Sequence, residues 1–445
     1  MTSSIEKIYG DLPSDWDYIS LGDLISQGKG DLQTGPFGTL LQASEYRSSG
    51  TPVIAVQNIG DNRINRGTIP KINDETLSRL AGYKLCLNDI LFCRKGNIER
   101  RAIIRKEEVG WLQGSDCIRL RFKNTIDASF ISYVLGTPAY RSWILRHAQG
   151  ATMPSLNQEI LKLIPLPLPP LPIQHTLAQI LGSLDDKIEL NCQMNATLEV
   201  IARTLFQSWF VDFDPVRAKA DGRQPEGMDA ATAALFPSEF EEINGLEVPK
   251  DWKVKPIDHI ATFLNGLALQ NYPPEDDDYL PVIKIAQLHK EDTEGCDKAS
   301  VKIPPKYIVD NGDVIFSWSG SLEVVIWCGG KGALNQHLFK VFSEEYPKWF
   351  YYFWVKYHLP EFQAIASGKA TTMGHIQRHH LSEAQCIIPS PTIFTQADKI
   401  MAPLVAEIIK NKVEARSLAA IRDTLLPKLM SGGIDVQNIK PETPA

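Results

Sequence analysis

One long pattern occurs twice in this chain, in the same order both times. LPSDW at residues 12–16 returns as VPKDW at 248–252, 236 residues later, and Pro52-Val53-Ile54 returns as Pro281-Val282-Ile283 at an offset of 229. Asp89-Ile90-Leu91-Phe92 and Gly96 match Asp313-Val314-Ile315-Phe316 and Gly320 at 224. Phe130 and Thr152-Met153 match Phe350 and Thr372-Met373 at 220. A falling offset with unbroken order marks a tandem duplication whose second copy is slightly shorter. The unit is far longer than the roughly 20–50 residues of solenoid and propeller repeats, so those architectures are excluded.

Each copy has two parts. PVIAVQNI, DILFCRKG and CIRLRF in the first, and PVIKIAQL, DVIFSWSG and LFKVF in the second, are β-branched and aromatic runs bounded by Gly, Asn and Asp, as strands are. PLPLPPLP at residues 165–172 suits neither regular helix nor central strand and reads as a stiff lead into a long helix rather than as a ligand for a proline-binding module. In that helix Leu177, Leu181, Leu184, Ile188, Asn191, Asn195, Leu198, Ala202, Leu205 and Trp209 alternate spacings of four and three. The matching positions of copy two are Ala397, Met401, Leu404, Ile408, Asn411, Ala415, Leu418, Arg422, Leu425 and Leu429. Seams sustained this long predict a coiled coil of roughly 50 Å, its two helices packed on each other. Each helix follows its own globular region, so an antiparallel pairing would place those regions at opposite ends. The expected fold is α+β: two similar globular α/β domains separated by two long antiparallel coiled-coil helices, with pseudo-two-fold symmetry.

The expected domains are a first globular domain (1–165), a first spacer helix (166–211), a connector (212–247), a second globular domain (248–391), a second spacer helix (392–432) and a flexible tail (433–445). The connector reads as surface chain with a short helix near residues 230–235. Asn191 and Asn411 share a seam position, which favours mutual pairing that fixes register; helices crossing elsewhere, or water satisfying each amide, is the alternative. Pro403 predicts a kink or a late start in the second helix.

Composition narrows the function. At 445 residues, with 43% apolar and 22% charged side chains, the chain is a multidomain globular protein. It shows neither a secretory leader nor an apolar run able to span a bilayer, so a cytoplasmic location is expected. Seven scattered cysteines without a CxxC pair read as reduced packing residues, and the nine histidines show no metal-ligand spacing; His379-His380 would point apart. No metal site is expected. Catalytic motifs fail as well. Gly329-Gly330-Lys331-Gly332 lacks the spacing of a phosphate loop, and Tyr272-Pro273-Pro274-Glu275 lacks both ends of an amino-methyltransferase tetrapeptide. Asp185-Asp186-Lys187 reads as a solvated cluster on a helix rather than a nuclease metal site. Net charge is −7, yet residues 84–123 carry ten basic and five acidic side chains.

TGPFGTLLQASEY (34–46), GTPVIAVQNI and NDILFCRKGNIERRAII resemble the first target-recognition domain of type I restriction–modification specificity subunits. GDVIFSWSGSLEVVIWCGGKGALNQHLFKV (312–341) resembles the second. GATMPSLNQEILKLIPLPLPPLPIQ and LFQSWFVDFDPVRAKADGR resemble the entry to and exit from the family's spacer helix. The resemblance implies a non-catalytic, sequence-specific DNA-recognition subunit reading a bipartite asymmetric target. It further implies docking of two adenine methyltransferase subunits and of translocase/endonuclease subunits. S-adenosylmethionine, ATP and Mg would then sit on those partners and no cofactor on this chain. A free-standing DNA-binding regulator and an enzyme with an unrecognised site stay open; the net charge speaks against tight binding alone.

Candidate DNA contacts follow from residue type. In copy one they are the basic turn Arg94, Lys95, Asn97, Arg100 and Arg101, although Arg100 and Arg101 would also pair with Glu107 and Glu108. Thr34, Gly35 and Gly38 allow close backbone approach or simply a tight turn. Gln57 and Asn58 are adenine-reading types that equally suit turn capping. In copy two they are Trp318, Ser319 and Ser321, then Asn335, Gln336 and His337, with Lys369, Thr371 and Thr372 as phosphate holders; Trp318 suits a core as well. Ser155 and Gln158 have capping-box spacing. Arg94-Lys95 against Trp318-Ser319 implies that the two readers see different bases.

Overall fold

The computed structural model describes residues 8, 12–150, 154–368 and 374–436. It divides into two compact units, residues 1–186 with 418–445, and residues 187–417. Each unit therefore takes part of both long helices, and the unit borders fall inside the helices rather than at their ends.

In the first unit the order Gly30–Thr34, Cys117–Phe122, Ile90–Cys93, Arg101–Ile103 forms an antiparallel four-stranded sheet. Beside it Thr51–Ile54 pairs antiparallel with Lys71–Ile72 and parallel with Leu112–Gln113. The second unit repeats this topology. Thr262–Asn265, Leu338–Phe342, Val314–Ser317 and Val324–Ile326 make its antiparallel sheet, and Tyr279–Ile283 lies parallel to Gly332–Leu334. The repeats are built on the same β-branched runs, because strands buried on both faces are nearly all apolar: Ile90–Cys93 and Val314–Ser317 are buried at every residue, and the one hydroxyl, on Ser317, is satisfied by the Ser321 carbonyl.

The first half of the proline run is a strand after all. Pro165–Leu168 pairs with Asp17–Ser20, and Gln385–Ile388 pairs with Lys253–Pro256 in the same role. A two-stranded ribbon tolerates proline because one of its edges needs no ladder hydrogen bond. The two long helices span Leu171–Phe210 and Pro391–Met430. The second runs without a break through Pro403, so of the expected kink or late start the late start does not occur; the helix begins at Pro391, where the missing N–H costs nothing. It ends at Gly432, whose φ of +70° is a left-handed stop that lets the Gly433 N–H reach the Lys428 carbonyl.

Two expectations about the linking chain are overturned. Residues 212–247 are not a mere surface connector: besides the helix Ala230–Leu235 they hold Asp214–Ala220 and a hairpin, Phe240–Ile243 with Leu246–Pro249. Phe213, Val216 and Phe236 are buried in the second unit's core against Trp209 and Trp252. In the first unit, Val436 is buried among Met430 and Leu429 and Ile434 packs beside it, so this start of the expected tail is anchored. The remainder of the expected tail lies outside the described residues. Among the described residues no helix is long and apolar enough to cross a membrane.

Candidate nucleic-acid interface

In the first unit the parallel pair Thr51–Ile54 and Leu112–Gln113 ends in two turns that form a cradle. Val56 and Gln57 come from one turn and Gly114, Ser115 and Asp116 from the other; Asn97 and Arg100 close the side. Gln57, Asn97 and Arg100 are exposed, and among the described residues no carboxylate pairs with Arg100. Lys95 stands 3.7 Å from Asp116 at the rim.

The second unit has a cradle at the same place. Strand register proves the equivalence: Val53 is opposite Leu112, and Val282 opposite Ala333. Counting on from each pair sets Gly114, Ser115 and Asp116 against Asn335, Gln336 and His337. The second lining is Lys284, Ile285, Ala286, Gln270, Asp297, Lys298 and that triplet. A glycine is pressed against this turn in both units. A Cβ on Gly35 would lie 1.8 Å from the Gly114 carbonyl oxygen, and one on Gly266 would lie 2.2 Å from that of Asn335. The scaffold repeats; the lining does not.

Polar side chains within the second cradle are mutually ordered. His337 Nδ1 lies 3.1 Å from Ser319 Oγ, and its Nε2 3.3 Å from Gln336 Nε2. Asn335 Oδ1 accepts from the His337 amide at 3.2 Å. Trp318 is half-buried beside His337 and Phe339 and donates its ring N–H to Asn265 at 3.0 Å.

A family model described as the type I restriction modification DNA specificity domain matches residues 13–200 and again 249–415. The chain belongs to this family. Among its relatives, the type I restriction enzyme HindI specificity subunit of Haemophilus influenzae is 28% identical over 338 residues, 65% of this chain and 73% of that protein. The MjaIX specificity subunit of Methanocaldococcus jannaschii is 24% identical over 331 residues, 71% of each chain. The crystal structure of the type I restriction–modification S subunit from M. genitalium superposes with a TM-score of 0.58 at 16% identity, covering 95% of this chain and 97% of that one. That likeness concerns the fold.

Several residues singled out by type are structural in these specificity domains. Arg101 is buried: its Nε donates to the Ser132 carbonyl at 2.6 Å and its Nη1 to Asp61 at 2.5 Å, so it faces inward rather than toward DNA. It pairs with Asp61, not with Glu107 or Glu108; Glu108 takes Arg66 instead. Burial pulls the Arg101 pKa down while Asp61 holds it up, and Asp61, whose own burial works against ionisation, is kept below its usual value by Arg101 and Arg141. Arg105, Arg119 and Arg121 are likewise engaged with Asp186, Asp31 and Asp89, so the local positive surplus is smaller at the surface than in the sequence. Asn58 is buried and pins its own turn, accepting from Ala55 N and donating to the Asn65 and Thr68 carbonyls. Ser319 and Asn335 are also buried.

Thr34 accepts a hydrogen bond from Gln158 Nε2 at 2.9 Å, which ties its strand to the helix Gln158–Lys162. That helix is capped by Asn157, so the capping box expected of Ser155 does not form. Arg94 is half-buried; Ser321 is exposed and its carbonyl accepts from Ser317. Lys369, Thr371 and Thr372 lie outside the described residues. Ser115, Asp116, Lys284, Lys298 and Gln270 were not singled out by type. Aligning LQG with ALN across the repeat would have found the first two.

Every position of the two seams is buried or half-buried, including Leu184, Leu198, Leu205, Leu404, Leu418 and Leu425. In the second unit the side chains of Asn191 and Asn411 do not pair with each other as expected; of Asn411, Asn191 reaches only the backbone carbonyl, at 3.5 Å. Asn411 donates to Asn195 Oδ1 at 3.1 Å, Asn195 to the Ile408 carbonyl at 3.1 Å, and Asn191 to Glu414 at 2.9 Å. The helices meet with a one-turn stagger relative to the repeat, and their sense is antiparallel. In the first unit Asp185 is buried rather than solvated. It binds Arg422 at 2.7 Å and Tyr133 Oη at 2.8 Å, which lets a charged residue occupy a seam position.

His379, His380 and Glu383 do converge, their ligand atoms within 4.8 Å, contrary to the divergence expected of the doublet. The Gln377 amide donates to His380 Nδ1 at 3.0 Å, which places that ring's proton on Nε2. Cys93, Cys117, Cys328 and Cys386 are buried packing residues, and burial pushes Cys93 up to about 11; Cys86 and Cys192 are exposed.

Proposed function

We propose that this chain reads a bipartite, asymmetric duplex target, one half-site per cradle, as the specificity subunit of a type I restriction–modification complex. One observation carries the reading: two cradles stand on register-equivalent backbone yet are lined by different chemistry. Arg100, Gln57 and Asn97 are of guanine- and adenine-reading types, whereas Lys284, Gln336 and His337 make another set. Equal scaffolds with unequal linings suit two different half-sites.

The long helices set the gap left unread and carry the partners. Buried amides in one unit and the Asp185–Arg422 pair in the other oppose sliding, a polar device known to fix register. Leu190, Met194 and Ile201, 49%, 38% and 42% exposed, follow one another on the first long helix at spacings that share a face outside the seam. They suit the docking of an adenine methyltransferase subunit, with translocase/endonuclease subunits joining the assembly. Methyl transfer and cleavage belong to those partners, as do S-adenosylmethionine, ATP and Mg.

The test is photo-crosslinking in the assembled complex, with benzoylphenylalanine at Gln57, at Gln336, or at Glu226 as an exposed control that lines neither cradle. Gln57 and Gln336 should crosslink to opposite half-sites and Glu226 to neither. Crosslinks from both cradles to one half-site would refute the reading.

A further inference from the structure

We propose that Phe37 is a wedge that enters a base step at the half-site of the first cradle; the proposal rests on the DNA-reading function. Phe37 is 61% exposed, more than any other aromatic side chain among the described residues. Looseness does not explain this. Pro36 is buried, Gly35 is clamped against the Gly114 carbonyl, and Gly38 turns the chain with a φ of +64°. On the far side Arg79 donates to the Leu40 carbonyl at 2.7 Å and pairs with Glu45. The loop is held at both ends, and it holds an apolar ring in water.

Position decides what the ring meets. Gly35 touches the turn that lines the first cradle, Arg100 lines the same cradle, and Phe37 follows Gly35 by only two residues. A protein partner seeking an apolar anchor would meet unpaired cation and amide groups there. Duplex DNA offers phosphates to the first and base edges to the second, and between the bases an apolar slot. Apolar side chains inserted into base steps unstack them partly and kink the duplex. The second cradle lacks the device: counting from Gly266, Phe37 corresponds to Ala268, and the next residue, Leu269, is buried. Distortion should therefore be confined to one half-site.

The test uses the full chain in its assembled complex, on target duplexes carrying 2-aminopurine for adenine or pyrrolocytosine for cytosine at successive positions. Wild type should brighten a probe at one step in or beside the first half-site and none at the second. Phe37→Ala should abolish that signal and weaken binding about tenfold, the scale of one lost base–aromatic stack; Phe37→Trp should keep both. If wild type binds its target but no probe brightens, or if the signal survives Phe37→Ala, the wedge is wrong and DNA reading stands. If wild type prefers no duplex at all, the wedge and the DNA-reading function fall together.

Discussion

Removing the Asp61 carboxylate tests whether Arg101 is scaffold or reader. The Arg101 guanidinium is closed off by the helix Ala128–Gly136: a Cβ on Gly136 would fall 2.0 Å from its Nη2, and its Nε is engaged by the Ser132 carbonyl. Asp61 is its charge partner and is itself open to water on one side. Breaking a buried ion pair by deleting one member costs 3–5 kcal/mol, and partial solvent access places this case at the lower end, about 3 kcal/mol. Asp61→Ala should thus raise local opening of the strand Arg101–Ile103 about a hundredfold. Hydrogen exchange of that strand in the full chain reads this directly. The pH dependence has a definite sign. The folded-state pKa of Asp61 is lowered, so its stabilisation is complete above about pH 4, the unfolded value, and disappears as pH falls through the folded value. The gap between wild type and Asp61→Asn should close over that acid range. Unchanged exchange in Asp61→Ala at neutral pH would refute the buried pair and return Arg101 to the set of DNA contacts.

Three further outcomes are expected. Asn411→Ala leaves Asn195 Oδ1 without its donor and should cost about 1–3 kcal/mol, visible as lower melting of the helix pair, whereas replacing both asparagines by leucine should cost much less. Gly35→Ala forces a side chain into the Gly114 carbonyl and should abolish modification at the first half-site without unfolding the second unit, as read by exchange of the strand Val314–Ser317. Removing one heptad from both long helices should change the unread gap in the methylation map and leave the half-site letters alone.

The duplication, the strand runs and the seam were legible in the sequence because burial imposes periodicity, and periodicity survives without an alignment. Pro165–Leu168 was misread because proline rules describe central strands, and this one is paired in a two-stranded ribbon. Residues 212–247 look polar and most of them are exposed, but Phe213, Val216 and Phe236 anchor the segment in the core at spacings that make no helical or strand period. At the candidate site residue type was a poor guide. Arg101 and Asn58 are the right types facing the wrong way, because an ion pair and a turn satisfy them. Gly114, by contrast, is unremarkable in sequence and becomes informative only when strand register sets it opposite Asn335.

The most direct measurement is a map of methylated adenines in host DNA, made with the wild-type chain, with Arg100→Ala and with Gln336→Ala. Wild type should yield a split motif with unlike halves; Arg100→Ala should relax one half and Gln336→Ala the other. If either variant altered both halves, or if neither changed the motif, the two cradles would not be independent readers.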